Sequence, residues 1–259
     1  MDLSVVIPVQ NEADNIAPLV DEIGAALDGL VEYEILYVDD GSNDATASEI
    51  LRLASTMPRV RLLRHTRNCG QSAAIRTGVR AACAAWVVTL DGDGQNDPAD
   101  IPILWHLSRE ASANPPRLIT GYREQRQDSW SKRWASRIAN AIRRRLLGDH
   151  TPDAGCGLKL FPRGLFLDLP NFDHMHRFLP ALVLREGGAV QSVPVNHRPR
   201  RRGISKYGVF DRLGVGIIDL LGVIWLQRRA THPRLYDAAG RDAAADSPGS
   251  SQQAAAMPR

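Results

Sequence analysis

Between Leu90 and Pro98 the chain reads LDGDGQNDP, which sets three carboxylates (Asp91, Asp93, Asp97) and one primary amide (Gln95) within a few residues. Such a group can bind a cation, carry a phosphoryl group, or do no more than turn the chain. An EF-hand loop requires glycine at its sixth position and glutamate at its twelfth. Counted from Asp91 those positions hold Asn96 and Pro102, which excludes it. An aspartyl-phosphate phosphatase shares the Asp-x-Asp spacing of Asp91 and Asp93, but that motif usually sits on the first strand with Thr or Val after it, and here Gln95 comes next. A hard divalent cation held to a nucleotide diphosphate is the third reading. Carboxylates spaced i, i+2 and the Gln95 amide oxygen supply oxygen ligands and leave positions for water and phosphate. On these residues alone a plain polar turn remains the alternative.

The flanking sequence supplies a frame for that loop. LSVVIPV, Leu3 to Val9, is short, β-branched and ended by a polar group, which predicts a buried strand. Asn11 is placed to cap a helix in which Ile16, Leu19, Val20, Ile23 and Leu27 fall on one face. YEILYVDD, VRLLRH, AWVVTLDGD and RLITGY predict four further strands, separated by helices over 43–54, 71–83 and 98–110, the last with proline in its first turn. This alternation predicts a parallel α/β sheet with helices on both faces. Ligands of such sheets bind beyond the carboxyl ends of the strands. PVQNE, DDGSND, DGDGQNDP and GYR all fall there, on one rim. After Arg145 the pattern becomes α+β: GCGLKLF reads as a strand, HMHRFLPALVLREG as a helix, AVQSVPVNHRP as a strand, and RRRGISKYG as a basic loop. From Asp237 the Ala, Ser, Gln and Pro-rich tail has no apolar periodicity and is expected to be disordered.

A chain of 259 residues, 44% hydrophobic and 24% charged, is long enough for one large domain with a substantial core. The net charge of +3 says little about partners, but its distribution says more. Nine Arg or Lys stand against two acids between Arg117 and Arg145, and five more with no acid between Arg198 and Lys206. Cys69, Cys83 and Cys156 show neither a disulfide framework nor metal spacing, so a reducing compartment is expected. Met1 leads straight into an apolar strand with no basic leader, so no signal peptide is expected. The longest apolar stretch, Leu213 to Leu226, is interrupted by Asp219 and is shorter than the ~20 residues a spanning helix needs.

SVVIPVQNE (4–12), YVDDGSND (37–44), HTRNCGQSAAIRTG (65–78), LDGDGQNDP, GYR, DAGCGLK (153–159) and VPVNHRPRRRGISKYG (193–208), in that order, resemble the inverting family 2 glycosyltransferases of the GT-A fold. Among these the sequence looks most like dolichol-phosphate mannose synthases and bacterial polyprenyl-phosphate glycosyltransferases, over residues 3 to about 228. The resemblance implies a GT-A domain, a Rossmann-like mixed sheet flanked by helices, over 1–208. A C-terminal amphipathic helix over 209–236, at a membrane surface or closing the core, and the tail over 237–259 complete the expected organisation.

Roles carried over from the family are expectations at the matching positions. Pro8, Gln10 and Glu12, with Asp39 or Asp40, would line the nucleotide base and ribose; a turn that caps the next helix is the alternative for Asp40 and Ser42. Asp91 would contact the nucleotide–metal unit, while Asp93 and Gln95 hold Mg²⁺ or Mn²⁺ on the diphosphate. Residues 70–78 read as packing beneath the nucleotide, Arg76 excepted. Arg123 and Lys132, with Arg133 and Arg137, would hold the lipid phosphate of the acceptor, since guanidinium groups suit phosphate oxygens. Arg143, Arg144 and Arg145 are expected at the surface. Arg202 and Lys206 would close over the donor diphosphate on a mobile loop that bends at Gly203. Asp153 is expected to position the acceptor, because an ionised phosphate needs no general base. Asp173, His174 and His176 read as a partly buried helix start in preference to metal ligands.

The expected reaction moves a sugar from a nucleotide-diphosphate sugar to a polyprenyl phosphate with inversion. GDP-mannose is the first choice of donor, with UDP-glucose or a UDP-amino sugar behind it. Nucleic acid is not an expected partner. Transfer to a glycan or protein hydroxyl is the nearer rival. A sugar nucleotidyltransferase is further off, since PVQNE is no glycine-rich phosphate loop. A degenerate sugar-nucleotide-binding module is opposed by the intact Asp91, Asp93, Gln95, Arg202 and Lys206. The expected location is cytoplasmic, peripheral at the inner face of the cell membrane, with 210–226 in the interface plane.

Overall fold

The computed structural model describes residues 1–109, 118–123, 143–199 and 211–231. Seven strands form one sheet: β1 (Leu3–Val9), β2 (Tyr33–Asp39), β3 (Val60–Arg64), β4 (Trp86–Thr89), β5 (Leu118–Arg123), β6 (Lys159–Pro162) and β7 (Val190–Val195). Their spatial order is β3-β2-β1-β4-β6-β5-β7. All are parallel except β6, which runs against both β4 and β5. The mixed sheet flanked by helices is the GT-A arrangement expected, and the α+β character after Arg145 resolves into this one reversed strand.

Helices cover both faces. α1 (Ala13–Leu27), α2 (Thr46–Ala54) and α4 (Ile101–Arg109) lie on one; α3 (Gln71–Ala81), α5 (Arg163–Asp168), α6 (Leu179–Arg185) and α7 (Asp211–Arg228) lie on the other. Strand alternation divides the core accordingly. Val5 and Ile7 of β1 meet Ile16, Val20 and Ile50, while Val6 turns the other way to meet Ile75 and Val79. Burying each such aliphatic side chain stabilises the fold by ~1.5–3 kcal/mol. Besides Asp39 at its end, β2 buries one acid, Glu34, which is 1% exposed. Its carboxylate accepts from Ser4 Oγ, Cys83 N and Arg61 Nη1, so no buried charge is left uncompensated.

Small differences from the sequence reading have local causes. Asn11 does not cap α1: it sits in the left-handed region (φ 54) and its Oδ1 accepts from Asn43 N, tying together the loops after β1 and β2. Residues 98–110 begin as a 3₁₀ turn, Pro98–Asp100, whose cap Asp97 accepts from Ala99 N. The stretch from His174 likewise divides into a 3₁₀ turn, Met175–Arg177, and α6. Arg143 is no surface residue. Its guanidinium donates to the buried Asp149 (2.7 and 3.3 Å) and to the Thr151 carbonyl (3.2 Å).

Candidate active site

The strand order reverses at β1, with β2 on one side and β4 on the other. The β1–β4 register ends at Val6↔Thr89, whereas β1–β2 pairing runs on to Val9↔Asp39. A crevice therefore opens beyond Val6. Pro8 sits where it opens, and its missing N–H falls on the β4 side, past the last ladder bond, where it costs nothing. The carboxyl ends of β1, β2, β4, β5 and β7 and the start of the reversed β6 share this rim.

On the β2 side Asp39 is fully buried. Its Oδ1 accepts from Ser42 N at 2.8 Å, and its Oδ2 lies 3.0 Å from Arg64 Nε yet receives no directed hydrogen bond among the described residues. A buried acceptor in that condition suits the N–H of an incoming base. Asp40 is differently employed. Its oxygens accept from the backbone N–H of Cys69 and Gly70, 2.8 Å each, and from His65 Nδ1 at 2.7 Å. Asp40, His65 and Cys69 bring three ligand-type atoms within 4.8 Å of one another. With both carboxylate oxygens committed to N–H donors, however, the group is a clamp on the 65–70 loop. Glu12 accepts from Asn15 Nδ2 at 2.6 Å, and its own N–H donates to Thr46 Oγ1 at 2.9 Å. Gln10 lies beside it on the same loop.

Across the crevice the acidic loop is ordered by its own polar groups. Asp91 N donates to Asn96 Oδ1 (3.2 Å), and Gln95 N donates to Asp93 Oδ1 (3.1 Å). Asp91 is pushed up to about 6, first by burial and then by the charge of Asp93, while Lys159, Arg123 and a hydrogen bond from Gln71 pull the other way. That bond runs from Gln71 Nε2, at the start of α3, to Asp91 Oδ1 at 2.8 Å. A buried carboxylate whose proton affinity a neighbouring carboxylate raises, with an amide oxygen adjacent, belongs to a donor set that a hard divalent cation would relieve. Asp91, Asp93 and Gln95 thus fit Mg²⁺ or Mn²⁺. Gly157 backs this loop so closely that a Cβ there would collide with the Asp91 carboxylate.

Beyond β5 the guanidinium of Arg123 donates to Asp153 through Nε (2.5 Å) and Nη2 (3.0 Å). Asp153 is buried, and its pairing fits the positioning role expected of it. Lys159 opens β6 between Thr89 and Thr120, 3% exposed, with its ammonium donating to the Cys156 carbonyl. Burial lowers its pKa, and the charges of Cys156, Asp91 and Asp153 raise it. Lys132, Arg133, Arg137, Arg202, Gly203 and Lys206 lie outside the described residues.

Three residues with parts in this geometry are not singled out by the sequence reading: Gln71, which falls in the 70–78 stretch read as packing yet donates to Asp91, Lys159, and Arg198, whose backbone N–H donates to the Gln95 carbonyl. Lys159 belongs to the DAGCGLK motif, and a lysine opening an apolar strand was the available signal. Nothing local marks the other two. Asp173, His174 and His176 form the turn expected of them: His174 Nδ1 lies 3.0 Å from Asp219 Oδ2 of α7, and His176 Nδ1 lies 2.7 Å from Ser72 Oγ. Arg76 stands on α3 with its Nη1 buried and unmatched among the described residues. α7 is both a core helix and an exposed one. Val223 is buried in the core cluster beside α6, while Ile217, Ile218 (71% exposed), Leu221 and Trp225 (59%) form a bare stripe. No helix among the described residues is long and apolar enough to cross a membrane.

Known proteins are similar to this chain in sequence and in fold. Dodecaprenyl-phosphate galacturonate synthase of Rhizobium johnstonii is 33% identical over 238 residues, 90% of this chain and 69% of that protein. Undecaprenyl-phosphate 4-deoxy-4-formamido-L-arabinose transferase of Edwardsiella ictaluri is 38% identical over 216 residues, 82% of this chain and 65% of that protein. The chain thus spans about two thirds of the length of these relatives. Among solved structures, glucosyl-3-phosphoglycerate synthase from Mycobacterium tuberculosis, in complex with Mn²⁺, UDP-glucose and phosphoglyceric acid, superposes with a TM-score of 0.66 at 19% identity. It covers 91% of this chain and 83% of its own, a likeness of fold. The profile of Glycosyl transferase family 2 matches residues 4–169. With that match, the relatives above and the crevice between β1 and β4, the chain belongs to glycosyl transferase family 2.

Proposed function

We propose that the chain moves a sugar from a nucleoside-diphosphate sugar to the phosphate of a polyprenyl lipid, by in-line displacement with inversion. One observation carries this reading. On a single rim Asp91, beside Asp93 and Gln95 in the oxygen-donor loop, lies within electrostatic reach of a guanidinium, Arg123, that Asp153 holds by two hydrogen bonds. Such a rim suits the meeting of two anionic substrates, one held through a cation and the other through an arginine. The relatives' names support the acceptor, since both print a polyprenyl phosphate. Neither names mannose, so GDP-mannose yields first place to a donor whose sugar bears a carboxylate or an amino-derived group.

In this proposal Asp39, with Pro8, Gln10 and Glu12, receives the base and ribose, while Asp40 shapes the floor by holding the 65–70 loop. Asp91, Asp93 and Gln95 would hold a divalent cation on the rim. When bound, that cation supplies Lewis-acid neutralisation of the departing diphosphate. Arg123 and Lys132 orient the acceptor phosphate, and Asp153 holds Arg123 without taking a proton, since an ionised phosphate oxygen attacks unaided. Arg202 and Lys206 add positive charge over the diphosphate. Rate enhancement then comes from positioning and charge neutralisation. The proposed location is cytoplasmic, peripheral at the inner face of the membrane. The bare stripe of α7 would lie in the interface, with the exposed Arg228 and Arg229 near anionic headgroups.

Incubating the protein with polyprenyl phosphate and a panel of radiolabelled nucleotide sugars tests the reading. Label should pass to the lipid from at least one donor; no transfer from any of them overturns it. Asp93→Ala should lower transfer by about 10²-fold or more with an unchanged circular dichroism spectrum. Retained activity would remove Asp93 from the site.

A further inference from the structure

The acidic loop is bolted to a segment a hundred residues further on. Asn196 donates to Asp100 through its backbone N (2.7 Å) and its Nδ2 (3.0 Å). Asn96 and His197 form an antiparallel bridge. Arg198 N donates to the Gln95 carbonyl at 3.0 Å. The Arg198 side chain then forks: Nη1 donates to Glu22 Oε2 of α1 at 2.7 Å, and Nη2 pairs with Asp97 Oδ1. One guanidinium therefore joins α1, the acidic loop and the end of β7.

The loop's end, Pro98–Asp100, packs on α1, but behind Asp93 the loop and α1 are apart. A cleft of about 460 Å³ separates it from α1, lined in part by Pro18, Leu19, Glu22, Asp93, Gly94 and Arg198. Apolar packing does not fill the gap behind Asp93, so the fork of Arg198 spans it. Half-exposed ion pairs of this kind contribute little to global stability. Their geometry can still be decisive where a ligand loop must stay within a fraction of an ångström.

We propose that Arg198 is a positioning residue for cation and diphosphate binding: its two-carboxylate fork sets where Asp93 and Gln95 stand. The proposal rests on the reading of those residues as cation ligands, and the test separates the two. Considered only as a charge, Arg198 opposes a cation at Asp93, so neutralising it should tighten binding. As a positioning group, its loss should loosen binding, because outer-shell partners of metal ligands typically account for 10–100-fold in affinity. The two accounts differ in sign.

The measurement is Mn²⁺ binding by loss of the free-ion electron paramagnetic resonance signal, with Mn²⁺ alone and with UDP or GDP added. Arg198→Gln should weaken binding by about 10-fold or more, at a melting temperature within about 4 °C of the parent. Arg198→Lys keeps the charge but cannot span two carboxylates as the fork does, and should weaken binding similarly. Equal or tighter binding in Arg198→Gln overturns the proposal, as does parental affinity in Arg198→Lys. Absence of Mn²⁺ binding in the unaltered protein under every condition takes down the reading of the ligands and this inference with it.

Discussion

Asp91 receives hydrogen bonds and charge from residues that its own neighbourhood in the sequence does not contain. Gln71 donates to it from 20 residues away, and the buried ammonium of Lys159 supports its ionised form from another strand. Gly157 presses its backbone against the carboxylate, so that contact is a sensitive test of placement. Gly157→Ala should lower transfer by about 10²-fold while the melting temperature falls by only a few degrees; assay and calorimetry on the same sample check this. Asp91, Asp93 and Gln95 stand out in the sequence only in company: their spacing alone also reads as a polar turn, and the motifs around them favour the proposed oxygen-ligand set. Asp40 was half legible, since its carboxylate invites a binding role until the backbone N–H groups of Cys69 and Gly70 occupy it. Arg198 was invisible because one of its partners, Glu22, lies 176 residues away.

At the scale of elements, the turn that carries His176 fixes the start of α3 and hence Gln71. Ser72 Oγ lies 2.7 Å from His176 Nδ1 and accepts from His176 N at 3.3 Å. Burial, then the charges of Lys159, Arg177 and His174, lower the His176 pKa well below 6.5. The unfolded chain takes up this proton as pH falls through about 6.5, but the folded chain does not until the lower value is reached. Stability is therefore full above that pH and lost progressively below it. Urea unfolding at pH 7.5 and 5.5 should show the loss, and His176→Asn should reduce it; an unchanged slope would mean the imidazole is not held neutral. β1 to β4 were readable as apolar, β-branched runs with polar ends. The reversal of β6 was not, because KLFP opens on a lysine, closes on a proline and pairs with a strand 70 residues earlier. The run Arg143 to Arg145 misled for a related reason: a basic triplet reads as solvated, and only the fold brings Asp149 under its first member.

For the whole molecule, the proposed function gives α7 the task of bringing the rim to a lipid substrate. Its inner face is committed, with Val223 buried and Asp219 paired to His174, so the stripe of Ile217, Ile218, Leu221 and Trp225 is held outward by a docked helix. The double change Ile218→Ser and Trp225→Ser should lower partition onto anionic vesicles by about tenfold or more. Transfer to a short-chain, water-soluble acceptor should be unaffected. Equal partition of parent and variant in vesicle flotation would count against the stripe as the contact surface.

The reversed strand also sets a timetable for synthesis. β6 is the neighbour that covers β4, yet Lys159 is made 70 residues after its partner Thr89. At roughly 5–20 residues per second that interval lasts about 4–14 s. Throughout it the nascent chain carries β1 to β4 with β4 as an open edge in addition to the permanent edge β3, and β5 has no strand to dock on until β6 arrives. An unpaired edge beside an apolar core is a template for association with other chains. Production of this protein should therefore be limited less by its final stability than by what the ribosome-bound half meets in those seconds.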